Sequence, residues 1–249
     1  MERPHKNLTR LDRDFVQTFQ RLEDRYSSWC VWQDFIFMSA AAISNKYDKR
    51  SGVWRKREDE YNAIQNRYTL NEWKLMADML AFTISALKAN PEQDFLGELF
   101  MRLDLGNHWK GQFFTPYHIS ELMALATAGS NLKERIKGHG YISVNDPTCG
   151  AGCMLVAFAN VCSKQGVDYQ SSVIFVGQDI DPVAVKMCYI QLATLNCAGY
   201  VVIGNTLTEP VYGSVLNPAC KTPENIWFTP MYCSDIWQKR RMEEIKKYG

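Results

Sequence analysis

The sequence predicts an α/β fold, a parallel sheet with helices on both faces, preceded by a helical N-terminal region. Three observations predict it. The apolar run Tyr141 to Val144 enters the tract Asn145-Asp146-Pro147-Thr148-Cys149-Gly150-Ala151-Gly152, and Met154, Leu155, Phe158, Val161 and Cys162 follow at helical spacing. A continuous apolar run, Val173 to Val176, has the composition of a strand buried on both faces. A third run, Tyr200 to Ile203, comes after a helical stretch carrying Val185, Cys188, Leu192 and Leu195. Strands alternating with helices make a parallel sheet.

The bulk numbers fit this frame. A chain of 249 residues has room for one α/β unit with a helical appendage, and 46% hydrophobic residues supply a full core. The net charge of +1 gives no global attraction for polyanions, so any nucleic-acid affinity must be local. No run of about 18 apolar residues marks a membrane span, and the start Met-Glu-Arg-Pro-His-Lys has no apolar segment behind it. The eight cysteines form no Cys-x-x-Cys pair, and Cys149 and Cys153 have the wrong spacing for zinc. Reduced thiols in a cytoplasmic protein are the expectation.

Residues 1–110 read as helical and residues 111–249 as the sheet-bearing core. Leu8, Leu11, Phe15, Phe19 and Leu22 recur at helical steps, as do Trp29, Trp32, Phe35 and Ile36. The basic cluster Lys49, Arg50, Arg55, Lys56 and Arg57 reads as a solvated helix face or loop in preference to a phosphate-binding patch. Thr69-x-x-Glu72 is a capping box that starts a helix along Trp73, Met76, Leu80, Ile84 and Leu87. After the glycine-bearing loop Gly106 to Gly111 come Phe113, Phe114, Thr115 and Pro116. Thr115 is expected to cap the next helix and Pro116 to be its first residue.

The tract at 145–152 carries the function. Glycines let backbone approach a ligand closely, and the helix start behind them presents free N–H groups to an anionic group. The second strand ends in Gly177-Gln178-Asp179-Ile180-Asp181-Pro182. An acid at that tip can accept from both hydroxyls of a ribose, and Asp179 is the candidate, whereas Asp181 before Pro182 is explained by capping the next helix. Asp179 lies 27 residues past Gly152, longer than the ~20 of dinucleotide folds, which argues against a nicotinamide enzyme.

These pieces, in this order from Asp94 to Leu207, resemble the adenine-N6 DNA methyltransferases, in particular the modification subunits of type I restriction-modification systems. The resemblance implies a Rossmann-like methyltransferase sheet and S-adenosylmethionine as cofactor. Phe113, Phe114, Thr115 and Pro116 look like the family segment that packs on the cofactor. Asp146, Pro147, Cys149, Gly150 and Gly152 look like the loop around its methionine end. Asp179, followed by Ile180, matches the ribose-binding acid. Gly204-Asn205-Thr206-Leu207 is similar to a segment that usually begins Gly-Asp and meets the adenine ring, with Asn205 in place of the acid and Leu207 beyond it. An amide oxygen at Asn205 can still accept from the adenine amino group.

Such enzymes hold the target amine with an Asn/Asp-Pro-Pro-aromatic turn after the fourth strand. No intact copy is present. Asn217-Pro218-Ala219-Cys220 keeps the Asn-Pro, and Thr229-Pro230-Met231-Tyr232 keeps a proline and the aromatic. Thr229, Pro230 and Tyr232 have the better strand before them, Ile226-Trp227-Phe228, and Asn217 is the better acceptor. The closing segment Ser234 to Tyr248 reads as a basic helix. The resemblance implies DNA with an adenine target as substrate. A sheet incomplete at its C-terminal end points to a specificity subunit or a second copy as partner. The alternative is a degenerate relative that binds the cofactor or serves assembly.

Overall fold

The computed structural model describes residues 9–105 and 114–248. The loop before Phe114, Phe113 itself and the 110/111 boundary lie outside them.

Five helices come first: α1 (Arg10–Glu23), α2 (Ser28–Tyr47), α3 (Val53–Gln65), α4 (Leu70–Ala89) and α5 (Phe95–Arg102). The capping box at α4 is made as the sequence indicates, with Glu72 N donating to Thr69 Oγ1 and Thr69 N to Glu72 Oε2. α2 buries residues on every side and is the central helix of this layer, lying against the later helix α10 (Pro182–Thr194). The N-terminal aromatics are core: Phe15 meets Trp32, Phe35 and Phe95 edge-on.

Helices α6 (Tyr117–Ala128) and α7 (Leu132–His139) lead into β1 (Ile142–Asp146). α6 starts one residue later than expected, with Pro116 in the cap position and no side-chain capping bond, so Thr115 does not cap it. The chain continues through α8 (Cys153–Lys164), a single turn α9 (Tyr169–Ser172), β2 (Val173–Asp179), α10 and β3 (Ala198–Ile203). A hairpin of β4 (Tyr212–Gly213) and β5 (Pro218–Ala219) follows, then β6 (Ile226–Phe228) and α11 (Asp235–Tyr248).

The main sheet has the order β1-β2-β3-β6. β1, β2 and β3 are parallel, which places the ends of β1 and β2 side by side. β6 departs from expectation. It runs antiparallel to β3, pairing Tyr200 with Phe228 and Val202 with Ile226. A three-residue apolar run carries no information about its direction or its neighbour, and β3 offers the free edge.

One core joins the helical layer to one face of the sheet without a break, from Phe15 and Trp32 through Phe175 to Val185 and Trp227. The other face is covered by Leu216, Tyr232 and Trp237 over Ile174, Val176 and Tyr200. Among the described residues, no helix is long and apolar enough to cross a membrane.

In the basic cluster at 49–57, Lys49, Arg55 and Lys56 are exposed, as on a solvated face, but Arg50 and Arg57 are drawn into the structure. Arg57 is buried, donating to Asp48 (3.0 Å), Ser44 (2.7 Å) and the Ile226 carbonyl (2.8 Å), and its guanidinium lies 3.7 Å over the Trp227 ring. Arg50 bonds both oxygens of Asp48 and the same Ile226 carbonyl, and Lys56 pairs with Glu224. Arg50 and Arg57 with Asp48 are the clamp that fixes β6 to α2 and α3. Sequence spacing hides it because the acid that organises it, Asp48, precedes the run as a single residue.

Burial pushes the Asp48 carboxyl up, but Arg50 and Arg57 outweigh burial and hold it below its ordinary 3.8. Its contribution to stability is therefore present above the ordinary carboxylate range and is lost as pH falls through the lowered folded value. Asp48→Asn is expected to cost about 3 kcal/mol in urea unfolding at neutral pH, since it leaves Arg57 buried without its counter-charge. The two unfolding midpoints should converge in acid; a gap that persists there would mean that the charge is not what matters.

Candidate cofactor-binding site

Asp146 ends β1, and the chain turns at once into α8. The turn needs left-handed backbone at Gly150 (φ 51°) and Gly152 (φ 94°), where L side chains are strained. Gly152 is also pressed against α10: a Cβ there would stand 2.6 Å from Cys188 Sγ and 3.1 Å from its Cα. A Cβ on Gly150 would lie 3.1 Å from the Phe114 ring. Phe114 in turn packs edge-on to Phe100 of α5 (5.2 Å between centroids). The two glycines thus admit a ring on one side of the loop and a helix on the other.

Bonds from backbone N–H groups fix the loop. Cys149 N donates to the Gln178 carbonyl (2.9 Å), Gly150 N to Asp179 Oδ2 (2.9 Å) and Gly152 N to the Cys149 carbonyl (2.8 Å). Asp179 Oδ1 accepts from Asp181 N (3.0 Å). Asp181 is buried and caps α10 through Val183 N (2.7 Å) and Ala184 N (3.4 Å), as the sequence suggests for it.

Phe114, Thr115, Asp146, Cys149, Gly150 and Asp179 line one cavity of about 190 Å³, with Thr148, Ala151, Cys153 and Met154. Two carboxylates face it. Burial, and then the charge of Asp179, raise the Asp146 carboxyl above its ordinary 3.8, while its bond from Thr148 N (3.1 Å) opposes the rise. A cation placed here would relieve that repulsion. Beyond the cavity the surface is open and apolar, with Ile180 68% and Leu207 91% exposed.

Asn205 differs from expectation. Its Oδ1 accepts from Leu207 N (2.9 Å) and Thr208 N (3.3 Å), so the oxygen caps its own turn and the amide nitrogen is left as a donor. A ring nitrogen, not the exocyclic amine, suits it. Pro147 is exposed, and its carbonyl accepts from Thr206 Oγ1 (2.5 Å), which holds the loop after β3 down on the glycine loop. Pro116 is exposed outside the cavity lining. Two supports were missed in the sequence, Thr206 and Gln178. Gln178 Nε2 donates to the carbonyls of Gly204 (3.2 Å) and Glu209 (2.9 Å). The available signal for Gln178 was a lone amide at the end of an apolar strand.

Both candidate amine-holding tracts lie elsewhere. β6 is antiparallel, so its end faces the start of β3, and Thr229 N donates to the Gly199 carbonyl (2.9 Å). That is roughly 13 Å of strand away from the edge where Asp179 and Asn205 lie. Thr229 is fully buried; its hydroxyl donates to the Cys197 carbonyl (2.7 Å) and accepts from Gly199 N (3.0 Å). Pro230 belongs to the same turn, since its carbonyl accepts from Cys233 N (3.1 Å). The Tyr232 ring is stacked on Phe228 (4.6 Å) beneath Arg241, and its hydroxyl donates to the Leu216 carbonyl (2.5 Å). Asn217 donates to Glu244 (2.8 Å) and lines a cleft with Tyr232 and Phe228 on the same far side. These residues fasten α11 and the hairpin to the sheet. Arg240 and Arg241 of α11 do likewise, Arg240 donating to the Ser171 and Gly140 carbonyls and Arg241 to that of Tyr232.

The sequence model of the N-6 DNA methylase family matches residues 101–249, the glycine loop and the six described strands included. The chain belongs to this family. Among solved structures it is similar to a Listeria monocytogenes protein assigned to the class I S-adenosylmethionine-dependent methyltransferases, at 14% identity and a TM-score of 0.41. That match covers 83% of this chain, which spans 57% of the length of the Listeria chain.

The family implies S-adenosylmethionine as cofactor, and the residues present fit it. Its ammonium and sulfonium charges suit a cavity with two carboxylates, and its ribose suits Asp179 at the strand tip. A cavity of about 190 Å³ is smaller than the ~300 Å³ of the smallest ligand sites, so it encloses one end of such a molecule only. Ile180 and Leu207 are exposed outside its lining.

Gly152→Ala is expected to destabilise the fold by about 2 kcal/mol or more, from positive φ and the contact with Cys188 together. Adding Cys188→Ala should recover part of the loss in thermal unfolding, because it removes the sulfur but not the backbone contact. An unchanged melting temperature in the single variant would disprove the close approach.

Proposed function

We propose that this chain binds S-adenosylmethionine at the tips of β1 and β2 and takes part in methylating the exocyclic amine of adenine in DNA, as in restriction-modification systems. One observation carries the reading: the glycine loop, the Phe114 ring and the carboxylates of Asp146 and Asp179 line a single cavity at adjacent strand ends. Asp146 sets the amino-acid end, Asp179 the ribose, Ile180 and Leu207 flank the base, and Asn205 donates to it. The bound cofactor supplies an electrophilic methyl group. Adenine specificity rests on the family.

A second reading has its own support. Among the described residues, neither Asn217 nor the Thr229–Tyr232 turn stands at the cofactor edge of the sheet. The amine of adenine is a weak nucleophile and needs oriented acceptors where positive charge develops. On this reading the chain holds the cofactor, and a second chain, a specificity subunit or another copy, supplies the acceptors and reads the DNA.

Calorimetry with S-adenosylmethionine tests the shared part. Micromolar binding is expected, abolished in Asp179→Ala. Asp181→Ala should leave affinity intact and lower stability by about 1 kcal/mol, as for a lost helix cap. Tyr232→Ala should also lower stability and leave affinity unchanged. Affinity should weaken as pH falls through the raised value of Asp146, above 3.8, because the protonated acid no longer attracts the cation. Asp146→Asn should flatten that profile. Methyl transfer to adenine-containing DNA by the isolated chain would decide for the first reading; binding with transfer only after a partner is added would decide for the second.

A further inference from the structure

α10 is apolar around Gln191, whose neighbours Ile190, Leu192 and Ala193 are all buried, and Gln191 itself has no exposed surface. A buried amide is destabilising unless its groups are bonded. Here they are bonded to two other parts of the chain. Gln191 Nε2 donates to the Ala151 carbonyl in the glycine loop (2.8 Å) and to Asp94 Oδ1 (2.8 Å), and its Oε1 accepts from Leu96 N (3.3 Å). Asp94 is 2% exposed and also caps α5 through Gly97 N (3.0 Å). Cys188, which Gly152 touches, is three residues earlier on α10 and therefore on the same face.

We propose that Gln191, backed by Asp94, is a positioning residue for the cofactor loop. It turns the Ala151 carbonyl into the core and so leaves the open N–H groups at the start of α8 facing the cavity. It touches no ligand. It acts through the peptide unit at Ala151, and Asp94 fixes its amide by accepting one of the two protons. The helical layer thereby helps to set the ligand side of the loop, through α5. This inference rests on the reading that the loop holds S-adenosylmethionine.

The test uses the full chain and the variants Gln191→Met, which keeps bulk and removes all three bonds, and Leu192→Ala, a buried apolar truncation next to it. Both are expected to melt earlier. Only Gln191→Met should raise the Kd for S-adenosylmethionine, by about 10-fold, the loss of roughly one hydrogen bond's worth of loop order. Without ligand, amide hydrogen exchange across Cys149 to Gly152 should be faster in Gln191→Met than in Leu192→Ala. Equal effects of the two variants on affinity and exchange would reduce Gln191 to core filling and overturn the proposal. If the wild-type chain fails to bind S-adenosylmethionine, the cofactor reading falls. The exchange measurement then decides this proposal alone: faster exchange in Gln191→Met supports it, and equal exchange overturns it.

Discussion

The hydrogen bond from Gly150 N to Asp179 Oδ2 is the contact on which the site depends. It ties the tip of β1 to the tip of β2 and holds in one place the two features that a nucleoside ligand needs, a glycine turn and an acid. The tie requires Gly150 at positive φ, and the close packing of Gly152 on Cys188 fixes where α8 begins. The carboxylate is shared between the loop and Asp181 N, so its geometry is set before any ligand arrives. Preorganisation of this kind lowers the ordering cost of binding.

The helical layer is not a separate body resting on the sheet. Its aromatic core continues into the face of β2 and α10, Phe100 supports Phe114 at the cavity, and Asp94 reaches the glycine loop through Gln191. At the other end of the layer, Asp48 and Arg57 hold β6. Burying that pair has a desolvation cost that an apolar contact would avoid. What the charges provide is direction: the two arginines both donate to one carbonyl, Ile226, and so fix where a three-residue strand can pair.

What the sequence made legible was local. The glycine loop, the helix cap at Asp181, and the capping box at Thr69 each depend on residues within a few positions of one another, and each has a chemical signature. Pairing across the sheet has no such signature. The Ile226–Phe228 run is apolar enough for a strand, but nothing in it states that it runs against β3. The Pro-aromatic turn after it was placed on the strength of that strand, whereas its position was decided by the strand's direction. The side chain of Asn205 was not legible for a related reason: its oxygen bonds to its own backbone, a local competition that residue type alone leaves open. The basic cluster shows the converse, charges that look solvated until a buried partner, Asp48, is placed among them.

The sheet order has a consequence for the site as a whole. Among the described residues β1 is an edge strand, paired only with β2, with Ser143 and Asn145 exposed and α7 and α11 flanking a groove beside it. Polar residues and flanking helices blunt such an edge against unwanted pairing. The glycine loop at its tip therefore has strand support on one side only. Among the described residues, these bonds tie the loop to other elements from that side: Cys149 to Gln178, Gly150 to Asp179, Pro147 to Thr206 and Ala151 to Gln191. β2, α10 and the turn after β3 must then be rigid enough to define the site without a neighbour across β1, and they include the most completely buried elements of the sheet and its helices. The burial of those elements is thus a requirement of the site and not only of the fold.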